Sequence, residues 1–516
     1  MAAPIDLEHA LESFSDSPNK LESLENLNTL LSSVTETTLK NVVSNISFAN
    51  IFDCLSTNSS KQIKVCCSVL NKLLAAVDAS VVVQQFEGEL LVGLRHPAEP
   101  VQELCLGQVL RCAKGSPTSL AGHKDVLVEV ANCLTRENID ISQLAVKTLV
   151  QVGASDVGEV IFQDAVLEQL IDVTGKKDIY RFRVYEVCVE VCVQQPTCIQ
   201  ACSGILKQLM NEVYKDDIML QLNCLELLTR LALHSHGLVF LQQEGILDRI
   251  NSLLAEAAPD PLAGFLMPGL IKFFGNLARV QPKEMFEQHP TFPDLLFSSL
   301  HEEDLSLKCI VIETFGAIGS TGEGKKVLDA TGDRMLHACK EIGPLLERSP
   351  PEMKIRILSS LTDLLSVKAI HFVSAEFLKC NTKNEADKIP DILTATENWF
   401  YKLHPRPMEV FLSIASQPFT ELRVASLQVI NAIAGQKWGQ NLLNSHPGFT
   451  EYLLNRSTET SKEGKEAKFE IVKTLVQSDT AKEVFDAPEF IQFRHYFREG
   501  PFYVKAESAV AMEGAS

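Results

Sequence analysis

The sequence predicts an all-α protein built of stacked helical repeats, and three observations carry that expectation. The first is a recurring pair of apolar or cysteine residues three positions apart. The pairs are Leu70/Leu73, Val109/Cys112, Leu149/Val152, Val189/Cys192, Leu228/Leu231, Phe274/Leu277, Phe315/Ile318, Leu361/Leu364, Ile430/Ile433 and Val472/Leu475. By subtraction, successive pairs lie 39, 40, 40, 39, 46, 41, 46, 69 and 42 residues apart. Eight of these nine intervals are close to the ~40–47-residue period of armadillo and HEAT repeats. The second is helical spacing within a copy: Val424, Leu427, Ile430 and Ala434 share one face, while Arg423, Gln428 and Asn431 occupy others. The third is punctuation, since polar stretches, glycines and prolines separate these segments. Together they predict an armadillo/HEAT-like α-solenoid of about ten helical repeats, one per pair. One repeat cannot bury its apolar face alone, so copies stack and share a long core. The product is an extended surface for gripping another macromolecule rather than a catalytic pocket.

Taken in order, residues 1–40 read as N-terminal capping helices. Seven Asp/Glu against one Lys in 1–39 are read as a solvated cap rather than a dedicated site for a basic partner. Residues 41–366 are the repeat solenoid. Within it, Gly153 and Gly319 follow the last apolar residue of their stripes, which suits left-handed C-terminal caps. The turn Gln243–Gly245 precedes a second stripe through Ile246, Leu247, Ile250, Leu253 and Leu254. The alternation at 187–193 looks strand-like, but its register makes it a repeat helix. The one long interval, from Leu361 to Ile430, holds an insertion at 367–391, with the polar run 380–388 expected as a flexible loop. C-terminal repeats follow over 392–498, with amphipathic segments at 392–403 and 408–415. The small, polar tail 499–516 is expected to be disordered.

Composition narrows function. An apolar content of 46% supports burial throughout. A formal net charge of −19 argues against nucleic acid, which needs a concentrated basic surface. It suits a basic protein partner or simple solubility. No apolar run reaches the ~18–20 residues of a membrane span, so no membrane association is expected. The start, Met1-Ala-Ala-Pro-Ile-Asp-Leu-Glu, lacks the pattern of a secretory signal. The fourteen cysteines are then expected as reduced, buried thiols in a cytoplasmic, possibly also nuclear, protein. The sequons at Asn45, Asn58 and Asn455 would go unglycosylated there.

Three motifs invite a chemical reading and fail it. Gly319–Lys326 matches a phosphate-binding loop in its glycines and Lys325, but Lys326 stands where a Mg²⁺-binding hydroxyl belongs, and a helix precedes it instead of a strand. Cys188, Cys192, Cys198 and Cys202 could face one metal in pairs. Their spacing lacks a tight knuckle, however, and Cys188 and Cys192 fall on core positions of the repeat. His234 and His236 lack an acidic or histidine companion motif. No nucleophile elbow, dinucleotide fingerprint or kinase set is present. No enzymatic activity and no cofactor are expected.

Two segments suit partner binding. Tyr180-Arg181-Phe182-Arg183-Val184-Tyr185-Glu186 brings together aromatic and guanidinium groups of the kind that dominate interface hot spots. The competing reading, which is preferred, packs Phe182 and Tyr185 inside while the arginines satisfy neighbouring acids. In Met267–Ala278, mostly core, Lys272 and Asn276 are placed on the exposed face. The candidate partner-binding residues are therefore Tyr180, Arg181, Arg183, Glu186, Lys272 and Asn276. A general armadillo-type transport or scaffold adaptor is the alternative function. It is disfavoured because positions equivalent to Asn276 hold Lys72, Arg111, Gln151, Val191, Arg230, Ala317, Asp363, Ala432 and Thr474, and Trp399 and Trp438 form no ladder.

Several segments, in order from about residue 60 to 505, together resemble one family. They are Ile179-Tyr-Arg-Phe-Arg-Val-Tyr-Glu, Pro268-Gly-Leu-Ile-Lys-Phe-Phe-Gly-Asn-Leu-Ala, Met353-Lys-Ile-Arg-Ile-Leu, Ser416-Gln-Pro-Phe-Thr-Glu-Leu, His446-Pro-Gly-Phe-Thr-Glu-Tyr and Glu499-Gly-Pro-Phe-Tyr-Val-Lys. The family is that of the proteasome base-assembly chaperones known as 26S proteasome non-ATPase regulatory subunit 5. The chain departs from it around 367–387, where it is longer. The resemblance implies a cytosolic chaperone that binds the C-terminal region of an AAA ATPase, 26S proteasome regulatory subunit 7. It also implies association with regulatory subunit 4 and non-ATPase regulatory subunit 2. The chaperone would cover the ATPase's C-terminal helices, block premature docking to the core particle, and then leave. No residue-level binding motif comes with the resemblance.

Overall fold

The computed structural model describes residues 4–43, 48–257, 262–367 and 389–504. Every regular element among them is a helix. The chain divides into two units, Met1–Leu241 and Gln242–Ser516.

Each unit is a row of inner helices backed by a second row, most of them shorter. The inner helices, labelled in chain order, are α1 (Ser60–Ala76), α2 (Glu99–Gly115), α3 (Ile139–Gly153), α4 (Asp178–Gln194) and α5 (Ile218–Ala232) in the first unit. In the second they are α6 (Met267–Val280), α7 (Leu305–Gly319), α8 (Pro351–Leu365), α9 (Thr420–Ala434), α10 (Lys462–Gln477) and α11 (Ala487–Glu499). Within each unit every inner helix packs on the next. Behind them Glu87–Arg95, Lys124–Cys133 and Asp164–Thr174 stack in turn, as do Ile246–Ala257, Thr291–Ser298, Asp333–Ile342 and Ile389–Leu403. All ten predicted pairs lie on inner helices and are buried, which makes the stripe the core of the stack.

Local chemistry sets where the helices start. Asn138 Oδ1 accepts from the N–H groups of Asp140 (2.9 Å) and Ile141 (3.3 Å). Asp217 does the same for Met219 (2.9 Å) and Leu220 (3.1 Å). These satisfy donors that have no partner inside the helix. Their ends differ from expectation. Gly153 and Gly319 are not left-handed caps; among the described residues the positive-φ glycines are Gly245, Gly332, Gly448 and Gly500. Both lie within helices and are small for packing. A Cβ at Gly153 would come within 2.4 Å of Val191 Cγ2, and one at Gly319 within 2.5 Å of Leu364 Cδ1. Gly245, at φ 69°, does make the turn before Ile246.

The repeat period reappears in the polar contacts between neighbours. Lys177 bonds Glu137, Gln195 bonds the Ser155 carbonyl, Arg230 bonds Glu190 and Thr396 bonds Gln436, each across 40 residues. The 69-residue interval does not break the row, because α8 packs directly on α9. Its extra chain lies beside the row: Ile389–Leu403 joins the second layer, and the expected loop at 380–388 falls outside the described residues. At the N-terminus Lys20–Ser33 and Glu36–Val43, the latter crossing residue 40, both pack on α1. Of the tail, Gly500–Val504 follows α11, and residues 505–516 lie outside the described residues.

Candidate partner-binding surface

The aromatic–arginine segment begins α4, and most of its polar groups face other parts of the first unit. Arg183 is 7% exposed, and its Nη1 donates to the carbonyls of Leu134 (2.6 Å) and Arg136 (2.7 Å), at the end of the helix Lys124–Cys133. These carbonyls lie just past the end of that helix, so the guanidinium closes the C-terminus of Lys124–Cys133. Burial lowers its pKa, against the opposing pull of Tyr180 and Glu186. Arg181 donates to the Thr174 carbonyl (2.9 Å) and pairs with Glu212 and Asp178 (2.9 Å each). Tyr180 is buried, with Arg183 5.6 Å from its ring, and Phe182 meets Tyr185 edge-on at 5.5 Å. Arg181 thus satisfies acids, as the preferred reading holds. Arg183 instead bonds carbonyls, which residue type alone does not reveal.

One turn further on, the middle turns of α4 and α5 carry a carboxylate group set. Arg230 reaches Glu190 at 3.0 Å and Glu226 at 2.7 Å. Glu186 is half-buried, and burial pushes its carboxyl up. Arg230 and Arg183 pull it down, while Glu190 and Glu226 add to the rise. This region is acidic and partly accessible.

The first turns of the same helices are different. Ile139, Ile179 and Met219, which open α3, α4 and α5, are 68%, 57% and 67% exposed. They recur 40 residues apart by subtraction, in step with the buried stripe but on the open rim of the row. Sequence reasoning missed them as surface residues. The signal was available as a second apolar register about ten residues ahead of each buried pair.

In the second unit Lys272 is exposed on α6, and Asn276 is half-buried one turn on. Elsewhere in that unit a cleft of about 650 Å³ lies between Ile389–Leu403 and Lys437–Ser445. Trp438, Tyr401 and Glu397 are among its lining residues, with Tyr401 47% exposed.

The rejected motifs have structural uses. Lys325 is 2% exposed and points inward, donating to the carbonyls of Gly319 and Asp363 (the latter at 3.1 Å). Thr321 Oγ1 accepts from Gly324 N–H at 3.0 Å, so the helix Gly322–Ala330 caps itself where a phosphate would have to bind. Burial moves the Lys325 ammonium down to about 7. The four cysteines 188, 192, 198 and 202 are all fully buried, with Cys192 and Cys202 sulfurs 3.1 Å apart. Their mutual hydrogen bond and burial push the Cys192 thiol far up, which keeps it protonated. His236 bonds the Cys192 carbonyl at 2.8 Å, linking the helix Ser235–Gln243 to α4. Among the described residues no three His, Cys, Asp or Glu side chains group as metal ligands. No single described helix is long and apolar enough to cross a membrane.

A family described as proteasome non-ATPase 26S subunit matches residues 6–516. The chain is 35% identical over 501 residues to the human and to the bovine protein called 26S proteasome non-ATPase regulatory subunit 5, covering 96% of this chain and 96% of each relative. Among solved structures it is similar to yeast importin-beta, with 15% identity, a TM-score of 0.44, and coverage of 91% of this chain and 65% of that one.

Proposed function

The chain belongs to the family of proteasome non-ATPase 26S subunits, and from that premise we propose that it is a non-catalytic assembly chaperone of the 26S proteasome base. It binds the C-terminal region of the AAA ATPase called 26S proteasome regulatory subunit 7. It escorts that subunit with regulatory subunit 4 and non-ATPase regulatory subunit 2, and leaves when the full particle forms. It acts in the cytoplasm, and in the nucleus where bases are assembled there. The observation that carries this reading is identity at 35% across nearly the whole of both chains.

The mechanism is steric. A row of helices stacked on one another offers a long, preformed face, so covering the ATPase's terminal helices needs little ordering of the chaperone itself. Contact is made through the accessible members of the candidate set: Glu186 with its neighbouring carboxylates, and Lys272 with Asn276. Tyr180, Arg181 and Arg183 hold the helix that presents Glu186. Capture of the tagged full chain from cells, with its partners identified, tests the reading. The expected outcome is recovery of base ATPases without the core particle. Recovery of nuclear-import cargo, or of complete 26S particles alone, overturns it.

A further inference from the structure

A single exposed apolar side chain is ordinary on a protein surface. Ile139, Ile179 and Met219 are not scattered singly. They occupy the first turns of three helices that pack in succession, α3 on α4 and α4 on α5. Neighbouring packed helices lie ~8–10 Å apart, so the three side chains form a ridge with rungs at about that spacing. A helix rises 1.5 Å per residue, so apolar residues seven positions apart in a partner helix fall about 10 Å apart and can meet successive rungs.

The charges on the rim select the sign of that partner. Its lysines are each already paired: Lys176 with Asp172 (2.8 Å), Lys177 with Glu137 (3.0 Å) and Lys215 with Glu212 (2.7 Å). Arg181 holds Asp178 at 2.9 Å. Asp140 and Asp216, by contrast, make no ion pair among the described residues. The positive ends of α3 and α5 are already answered by the Asn138 and Asp217 caps. What remains on the rim is an apolar line flanked by unpaired carboxylates.

We propose that this rim docks an amphipathic helix of a partner protein, with apolar residues at seven-residue spacing and Lys or Arg beside them. The inference rests on the reading of the chain as a binding scaffold, and names a surface and a partner chemistry which that reading leaves open.

The test uses the full chain and a fluorescein-labelled designed helical peptide with Leu at every seventh position and Lys beside each Leu. A second peptide carries Glu in place of every Lys. Anisotropy titrations compare wild type with the triple variant Ile139→Ser/Ile179→Ser/Met219→Ser and with Asp140→Lys/Asp216→Lys. Wild type is expected to bind the Lys peptide, and the triple variant to bind it at least about tenfold more weakly with an unchanged thermal melt. The aspartate variant is expected to shift preference toward the Glu peptide. The proposal is overturned if wild type fails to bind, if the triple variant binds as tightly, or if the Glu peptide binds wild type as well as the Lys peptide does. Parallel capture of regulatory subunit 7 separates this from the function above. Capture undiminished in the triple variant overturns the rim and spares the chaperone reading. Peptide binding at the rim, with no capture by wild type, does the reverse.

Discussion

On α4, Ile179 and Arg183 stand four residues apart and so on nearly the same helical face, yet the isoleucine is 57% exposed and the arginine 7%. The difference is one of depth. Arg183 reaches the end of the helix Lys124–Cys133, whose last carbonyls need a donor. Ile179 lies one turn nearer the helix start, where more than half of it stays exposed. The same contrast separates the middle turns of the inner row from its first turns. Arg183, Glu190 and Arg230 are engaged from one helix to another, while Ile139, Ile179 and Met219 at the first turns stay exposed. Residue type therefore misleads about accessibility at these helix starts.

Four experiments break or sharpen that contrast. The largest effect is expected from the core beneath the middle turns. Leu228 is fully buried, and Leu228→Ala should cost about 2–5 kcal/mol in denaturant unfolding. A cost comparable to a surface change would remove the distinction between the two regions.

Arg183→Met comes next. It leaves the Leu134 and Arg136 carbonyls without this donor, the first of them buried, and a loss of about 2–4 kcal/mol is expected from charge-assisted bonds of this kind. Far-ultraviolet dichroism melts would measure it, and an unchanged melting temperature would show that the contacts at Leu134 and Arg136 contribute nothing.

Lys325, in the second unit, also bonds carbonyls at helix ends from inside, and it differs from Arg183 in being able to lose its proton. Its folded pKa, lowered by burial to about 7, lies below its unfolded value of 10.5. The unfolded chain therefore binds more protons between those limits, and stability should rise with pH across them. Below about pH 7 both states are charged and the penalty of burying the ammonium is constant. The measurement is the melting temperature of wild type minus that of Lys325→Met from pH 7 to 10. The difference should grow with pH; a flat or falling difference would contradict a lysine held so far inside.

The smallest expected stability effect is on the rim. Ile179→Ser should change unfolding free energy by no more than about 0.5 kcal/mol, as for other exposed positions. A loss near that of Leu228→Ala would mean the side chain is covered in solution.

Much of the fold was legible because helical repeats write themselves twice, once as 3.6-residue spacing and again as a ~40-residue recurrence. The buried stripe and the absence of strands among the described residues follow from that pattern, but the turn expected over Gly319–Lys326 is only Ser320 and Thr321, since Gly322–Lys326 begin the helix Gly322–Ala330. Gly153 and Gly319 show its limit. A glycine after an apolar residue looks the same whether it must turn left-handed or must make room, and Val191 and Leu364 decided between the two. Of the candidate surface, the arginine cluster could be found but its accessibility could not.

The sequence alone determined the helices, their order and the face each buries, since spacing along a helix is a local property and apolar burial is non-directional. Only the tertiary structure decided which first-turn side chains stay exposed, which carbonyls take a distant donor, and therefore which side chains remain for a partner. Those depend on contacts between residues far apart in the chain, which residue spacing within either helix does not encode.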